Sequence, residues 1–151
     1  MKWMKGNMFA HMPWASMIFV TTNAVIKRDG CLVMGRGAAA QAARLWSSLA
    51  RRAGGRIIHS MIKYGAITIL RLKDERWAGI FQVKYHFKDP ASLELIEHSC
   101  KGLAEIARLN PRRVIRLNYP GIGLGQLSKE QVQPILEKHL GEFDNVEIWS
   151  Y

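Results

Sequence analysis

Stretches with the composition of β-strands alternate along this chain with stretches that have helical periodicity. Residues 16–23, Ser-Met-Ile-Phe-Val-Thr-Thr-Asn, have the β-branched and aromatic content of a buried strand. After a Gly35-Arg36-Gly37 break, apolar residues recur at the spacing of one helical face, at Ala38, Ala42, Leu45, Trp46 and Leu49. We expect that helix to end at Gly54-Gly55, because glycine commonly terminates helices.

The second half of the chain continues the alternation. Residues 66–72 and 77–83 flank a charged turn and predict a pair of strands. Asp89-Pro90 predicts the amino end of a long helix, since aspartate caps helices and proline fits the first turn. Asn110-Pro111 would end this helix, whose apolar side would carry Leu93, Ile96, Cys100, Leu103 and Ala107.

Three strands and one helix complete the predicted elements. Residues 114–117 and 146–149 have strand composition, and a shorter strand is expected near residues 3–8. Ser128-x-x-Gln131 matches a capping box, but Pro134 would remove a hydrogen bond from a helix that began there. That helix therefore either begins nearer Gln131 or is kinked.

The alternation predicts an α/β fold, a three-layer α/β/α sandwich with a mixed central sheet, because such a sheet must be covered on both faces. At 151 residues with 48% apolar side chains, the chain suffices for one core, and we expect a single domain over residues 1–151. No stretch approaches the roughly 20 apolar residues of a membrane span, and the first residues lack the apolar core of a signal peptide. We therefore expect a cytoplasmic protein with no membrane partner.

Charge and cysteine content narrow the range of partners. Lysines and arginines number 22 against 12 acidic residues, and the formal net charge of +10 favours polyanionic partners such as nucleic acid. Cys31 and Cys100 have no Cys-x-x-Cys spacing, and the five histidines show no metal-binding spacing. We expect reduced cysteines, no metal and no cofactor.

Two glycine-rich loops lie where a predicted strand gives way to a helix. The first is Val33-Met34-Gly35-Arg36-Gly37-Ala38, and the second is Gly121-Ile122-Gly123-Leu124-Gly125-Gln126. Backbone amides converge in such loops, and a following helix adds partial positive charge, so they suit phosphate groups. The second loop has Gln126 where a dinucleotide motif needs glycine, and neither loop ends in Gly-Lys-Ser/Thr, so both common nucleotide motifs fail. The alternative is that the glycines only form tight turns.

At these residues the chain resembles the macro domain family. Thr21-Thr-Asn-Ala-Val, followed by Gly30-Cys-Leu-Val-Met-Gly-Arg-Gly-Ala-Ala-Ala-Gln41, is similar to the first ligand loop of one branch. That branch holds terminal ADP-ribose glycohydrolase and the antitoxins that reverse DNA ADP-ribosylation. Pro120-Gly-Ile-Gly-Leu-Gly125 is similar to the second ligand loop, and Lys5-Gly6-Asn7 takes the place of the family's Gly-Asp.

The resemblance implies a cleft for ADP-ribose. Amides of the two glycine loops would hold the diphosphate, and Asn23 would lie near the proximal ribose. Asn7 would accept from the adenine amino group through its amide oxygen, and Trp149 or Tyr151 would pack on the adenine. The ligand-binding residues so implied are Asn7, Asn23, Val33, Met34, Gly35, Arg36, Gly37, Ala38, Gly121, Ile122, Gly123, Leu124, Gly125, Gln126 and Tyr151.

The resemblance also implies a nucleophile. In the resembled hydrolases a strand-end lysine attacks the anomeric carbon of the ribose, and Lys84 matches that lysine. Basic neighbours can activate such an amine, and the candidates are Lys63, His86 and Lys88. The family's assisting acid lies in the second loop, where this chain has no Asp or Glu before Glu130. Loss of a general acid typically costs about 10² to 10⁴ in rate, so the sequence leaves open binding without efficient turnover.

Two other functions fit the sequence. A nucleic-acid-binding module would hold backbone phosphates with the glycine loops and the basic segment 44–56. A sequestering protein would bind a nucleotide signal and leave it intact. The positive charge makes ADP-ribosylated nucleic acid a plausible substrate class, and a modified protein or a free nucleotide metabolite fits the loops equally.

Overall fold

A computed structural model describes all of residues 1–151. The strands are β1 (Lys2–Lys5), β2 (Met17–Thr22), β3 (Ala66–Arg71), β4 (Trp77–Gln82), β5 (Ile115–Asn118) and β6 (Val146–Ser150). The helices are α1 (Gly37–Leu45), α2 (Leu49–His59), α3 (Leu93–Leu109) and α4 (Lys129–Leu140). Two short 3-10 turns lie at Lys73–Glu75 and Gly123–Gly125. No helix combines the length and the apolar character that a bilayer crossing needs.

All six strands form one sheet in the order β1-β6-β5-β2-β4-β3. Every neighbouring pair is parallel except β3 with β4, which is antiparallel. The predicted mixed sheet is therefore confirmed. Because β1, β6, β5, β2 and β4 run the same way, their carboxyl ends share one edge of the sheet, where open α/β sheets usually bind ligands.

Helices cover both faces of the sheet, so the predicted three layers are confirmed. On one face α3 and α4 pack over apolar residues of β2, β4, β5 and β6, with Phe19, Phe81 and Leu117 at the centre. On the other face α1 and α2 pack over β2, β3 and β4, around Ile18 and Ile80. Strand β2 is buried along almost its whole length, as its apolar composition predicts.

The first helical region differs from the prediction. Two helices replace the single expected one, and Gly54-Gly55 lies inside α2 instead of ending it. A Cβ atom on Gly54 would stand 1.8 Å from the carbonyl oxygen of Gly30. Glycine is therefore used at this position for close packing of α2 on the turn at Gly30, and the prediction of a helix end was wrong.

Three element ends also differ from the sequence-based expectations. The first strand covers Lys2–Lys5, a shorter stretch than residues 3–8. Helix α3 is capped by Ser92, whose hydroxyl accepts from the amide of Leu95, and not by Asp89. Helix α4 begins at Lys129 with the predicted capping box of Ser128 and Gln131, and it continues through Pro134. Because Pro134 is exposed, water can satisfy the carbonyl that loses its hydrogen bond.

Candidate functional site

A cavity of about 920 Å³ lies at the edge where the parallel strands end. Its lining includes a residue at or just after the end of each of these five strands: Gly6, Ser150, Asn118, Thr22 and Val83. The two glycine loops and the connection from β4 to α3 form its walls. The cavity therefore runs across the sheet from the end of β4 to the end of β1.

The first glycine loop leads into α1 and has a run of unpaired amides. From Met34 to Ala39, no backbone amide donates a hydrogen bond to any other group of the chain. No side chain caps the amino end of α1, where Arg36 is the N-cap residue. A helix leaves its first amides without an intrahelical partner, and because Gly35, Arg36 and Gly37 are exposed, these donors are open to water or to an anion.

The second glycine loop has a different construction. Gly121 and Gly123 have φ of +80° and +65°, a conformation that favours glycine. The turns of the loop use the amides of Gly125, Gln126 and Leu127, while those of Ile122 and Gly123 donate to no backbone carbonyl. The loop therefore has a second, smaller set of free amides, and its residues line the same cavity.

The two loops follow adjacent strands, because β2 and β5 are neighbours in the sheet. Beyond their last paired residues, Asn118 bridges the two strands through its side chain. Its Oδ1 accepts from the amide of Thr21 at 2.9 Å, and its Nδ2 donates to the Thr21 hydroxyl at 2.8 Å. This bridge extends the contact between β2 and β5 to the edge of the sheet, and both loops line the cavity there.

Lys84 lies at the β4 end of the cavity, two residues after the strand. Its Nζ donates to the carbonyl of Leu124 in the second loop at 3.4 Å, and the side chain is half-buried. Lys88 and Asp89 from the same connection also line the cavity. Asp89 is the one carboxylate among the lining residues, which also carry the cations Arg36, Lys84 and Lys88.

Aromatic and apolar side chains form the opposite end of the cavity. Trp149, near the end of β6, lines it together with Met8 and Phe9 from the segment that follows β1. Tyr151 also lines the cavity, and its hydroxyl donates to Gln41 Oε1 of α1 at 3.3 Å. A planar ring would find aromatic surface here.

Most of the predicted ligand-binding residues line this one cavity. They comprise Lys84 and the set Asn23, Val33, Met34, Gly35, Arg36, Gly37, Ala38, Gly121, Ile122, Gly123, Leu124, Gly125, Gln126 and Tyr151. Asn23 also braces the first loop, because its Nδ2 donates to the carbonyl of Val33 and its Oδ1 accepts from the amide of Val25. Their contacts with a ligand stay predictions.

Three residues named from the sequence lie outside the lining. Asn7 closes its own turn, because its Oδ1 accepts from the amide of Phe9 at 3.0 Å. Lys63 caps the carboxyl end of α2 by donating to the carbonyls of Ile57 and Ile58. His86 accepts from the amide of Lys88 through Nδ1. Of the three proposed basic neighbours of Lys84, only Lys88 lines the cavity.

Sequence reasoning missed Thr22, Asn118 and Tyr119 as lining residues. The hydroxyls of Thr22 and Tyr119 are buried and have no partner within the protein. Burial raises the pKa of Tyr119, with a smaller contribution from Glu137 and Glu130, so the phenol adds no negative charge near neutral pH. Thr22 and Asn118 are the last residues of β2 and β5, and Tyr119 follows β5, so their position at the carboxyl ends of parallel strands was the signal available.

The fold is shared with solved structures that align over nearly the whole chain. The macrodomain of Thermus aquaticus DarG is 25% identical, with a TM-score of 0.75, and the alignment covers 99% of this chain and 96% of that one. The chain is a macrodomain by fold. The predicted resemblance to macro domains is therefore confirmed, although no family model and no curated protein sequence matches.

Two further structures have the same fold as this macrodomain. The macrodomain of Mycobacterium tuberculosis DarG is 20% identical, with a TM-score of 0.76 and coverage of 99% and 97% of the two chains. Thermosipho africanus DarTG, in complex with ADP-ribose, is 20% identical with a TM-score of 0.77. This macrodomain spans 41% of that longer chain.

Proposed function

We propose that this macrodomain binds ADP-ribose in the cavity and removes ADP-ribosyl groups from a macromolecule through Lys84. The observation that carries the proposal is the pair of glycine loops, which have free backbone amides and line one cavity. The Thermosipho africanus neighbour, whose structure contains ADP-ribose, supports the choice of ligand.

The sheet suggests how the ligand would lie. Lys84 follows β4 and Trp149 lies in β6, three strand positions away, which is roughly 14 Å. The glycine loops follow the strands between them, β2 and β5. The diphosphate would therefore lie on the loops, with the base toward Trp149 and the anomeric carbon of the distal ribose toward Lys84.

In the proposed reaction the Lys84 amine gives up a proton to a base and attacks the anomeric carbon. A bond forms between Nζ and that carbon while the bond to the leaving group breaks, and the leaving group departs with the electron pair and takes up a proton. Water then attacks the same carbon, breaks the carbon–nitrogen bond and releases ADP-ribose and the amine. Both steps need a group that supplies or accepts a proton.

Asp89 would be that group. The second loop brings no carboxylate to the cavity, and Asp89 is the one carboxylate in the lining, on the same connection as Lys84. We expect Asp89→Asn to lower the rate of ADP-ribose release by about 10² to 10⁴ while ADP-ribose binding changes little. The exposed Asp144→Asn is the matched control, since it lies outside the cavity. An unchanged rate for Asp89→Asn would remove the residue from the mechanism.

Calorimetry and a turnover assay test the function itself. Titration with ADP-ribose should give saturable heat, and incubation with an ADP-ribosylated substrate should release ADP-ribose. No heat at millimolar ligand would contradict the binding proposal. Saturable heat without release after a long incubation would instead favour the sequestering protein.

The charge distribution favours nucleic acid as the modified macromolecule. No Asp or Glu occurs between Asp29 and Asp74, and that stretch builds α1, α2 and β3. All of its lysines and arginines are exposed and none forms an ion pair: Arg36, Arg44, Arg51, Arg52, Arg56, Lys63, Arg71 and Lys73. Such a surface attracts phosphate backbones by counterion release.

An oligonucleotide and a peptide, each carrying ADP-ribose, separate the substrate classes. The modified oligonucleotide should bind more tightly than free ADP-ribose, and that advantage should fall as salt rises. The modified peptide should show no such advantage, and equal binding of both at every salt concentration would contradict the preference. Binding of unmodified oligonucleotide that ignores competing ADP-ribose would favour the nucleic-acid-binding module.

A further inference from the structure

A buried arginine joins the sheet to the segment that follows β1. Helices α1 and α2 cover the β2, β3 and β4 part of one sheet face, while Arg116, Glu147 and Trp149 lie on β5 and β6. Their strand neighbours Leu117 and Ile148 belong to the core on the opposite face, so these three side chains project toward the α1 and α2 side. Residues 8–11 pass over them without forming a helix.

Arg116 holds this segment by its carbonyl groups. Its Nη1 donates to the carbonyls of Met8 and Ala10 at 2.8 Å each, and its Nη2 donates to that of His11 at 3.3 Å. The residue is 6% exposed, so these bonds form away from water. Three of the four residues 8–11 are therefore held from the side of the sheet by one guanidinium group.

The same guanidinium contacts Trp149. Its central carbon lies 4.5 Å from the centroid of the Trp149 ring, and its Nε donates to Glu147 Oε1 at 3.2 Å. Trp149 Nε1 donates to that same carboxylate oxygen at 3.1 Å. The indole is therefore held by a cation on its ring and by a carboxylate at its edge.

These contacts converge on the aromatic end of the cavity. Met8, Phe9 and Trp149 line that end. Arg116 contacts Met8 and Trp149 directly, and Phe9 follows Met8 in the chain. Burying a charged pair is costly, and a core of apolar side chains would often be as stable. A buried Arg116 therefore has its clearest consequence in geometry, because it sets where the indole and the segment lie relative to each other.

We propose that Arg116 is the positioning residue of the base end of the site, which fixes the Trp149 indole as the surface on which the adenine ring stacks. The proposal rests on the proposed function, because it names the part of the ADP-ribose site that reads the base. Arg116 itself does not line the cavity and would not touch the ligand. Substitution of Arg116 should therefore lower the affinity only for ligands that carry a base.

The experiment compares two probes, ADP-ribose and a diribosyl diphosphate that lacks adenine, on the whole chain. Arg116→Met keeps a long side chain but loses the hydrogen bonds and the charge. We expect it to weaken ADP-ribose binding about tenfold, within the range of lost base stacking, and to change binding of the base-free probe by less than about twofold. Equal losses for both probes would mean a merely structural role and would overturn the proposal.

A double variant adds a readout that general destabilisation would not produce. Because Arg116 acts through Trp149, Arg116→Met combined with Trp149→Ala should bind ADP-ribose no more weakly than Trp149→Ala alone. Additive losses would overturn the proposal. Should Arg116→Met fail to fold, Glu147→Gln and Arg116→Lys provide milder changes. If both variants keep the wild-type ratio of ADP-ribose affinity to base-free probe affinity, the proposal is overturned as well.

The wild-type measurements separate this proposal from the function on which it rests. If ADP-ribose does not bind at all, both fail. If ADP-ribose and the base-free probe bind equally well, the ADP-ribose site stands and the role of its aromatic end fails. If ADP-ribose binds more tightly and that preference disappears in Arg116→Met, both are supported.

Discussion

The two ends of the cavity are built in contrasting ways. At the aromatic end, Trp149 belongs to a strand and is held by a buried cation and a partly buried carboxylate. At the other end, Lys84 lies beyond its strand and has one long hydrogen bond, 3.4 Å to the carbonyl of Leu124. The chain therefore fixes the surface that would orient a ligand and leaves the Lys84 amine free to react.

The comparison also separates what each end should control. A stacking surface acts equally in the bound substrate and in the transition state, so its loss should weaken binding without slowing the bound substrate. A nucleophile forms its bond only during the reaction, so its loss should slow the reaction without weakening binding. Substitutions at the two ends should therefore change different quantities.

The largest effect is expected at the lysine end. Lys84→Ala should lower the rate of ADP-ribose release by more than about 10³-fold, because it removes the nucleophile. Its affinity for ADP-ribose should stay within about threefold of the wild type. Single-turnover release and calorimetry measure the two quantities, and Lys101→Ala, an exposed lysine on α3, is the control. An unchanged rate of release by Lys84→Ala would mean that Lys84 takes no part in the reaction. The two ends of the cavity would then not divide binding and catalysis between them.

The next effect is expected at the aromatic end. Trp149→Ala should weaken ADP-ribose binding by about 1–3 kcal/mol, roughly 5- to 150-fold in Kd, because a base would lose its stacking surface. At saturating substrate its rate of release should match the wild type. Trp14→Ala is the control, since that tryptophan is 67% exposed and lies outside the cavity. A slower reaction at saturation would mean that this end also contributes to the chemical step.

An effect of similar size, on stability instead of binding, should distinguish the loops between the two ends. In Gly121→Ala the new Cβ would lie 2.7 Å from Cδ1 of Ile96 at a φ of +80°, so we expect a loss of about 1–3 kcal/mol in the free energy of unfolding. Gly35→Ala should change it by less than about 0.5 kcal/mol, because nothing lies within 4 Å of that Cβ. Urea unfolding measures both variants. Equal losses would contradict the packed second loop and the open first loop.

The smallest effect concerns the residue that the sequence placed at the base. Asn7→Ala should change ADP-ribose affinity by less than about twofold, because the side-chain oxygen is already bound to the amide of Phe9. Calorimetry on the same preparation as Trp149→Ala gives the comparison. A tenfold loss of ADP-ribose affinity would mean that Asn7 contacts the base, and that the base is recognised by a polar as well as an aromatic side chain.

Much of the site was predictable because its features are local in sequence. The glycine loops, the lysine at a strand end and the alternation of strands and helices are all determined by near neighbours along the chain. Once β2 and β5 were recognised as strands followed by glycine loops, the shared cavity followed from the geometry of parallel strands. The capping box of α4 was likewise predictable from residues 128–131.

The errors and omissions involve contacts between distant residues. Gly54 looked like a helix end, but its role depends on the backbone of Gly30, which only the folded chain brings near. Arg116 has no local sequence signal for its role, because its partners lie more than 100 residues earlier in the chain as well as on β6. Asp89 was assigned to a helix cap, yet Ser92 caps the helix and Asp89 lines the cavity.

The row of unpaired amides from Met34 to Ala39 has a consequence for the protein when no ligand is present. Each of these donors is satisfied only by solvent or by whatever occupies the cavity. A ligand that binds the folded chain and not the unfolded chain raises the free energy of unfolding. The increase is about 2.7 kcal/mol when the ligand concentration is a hundred times its dissociation constant. The melting temperature should therefore rise with the concentration of occupant, and the abundance of folded protein in a cell should follow the supply of the molecule it recognises.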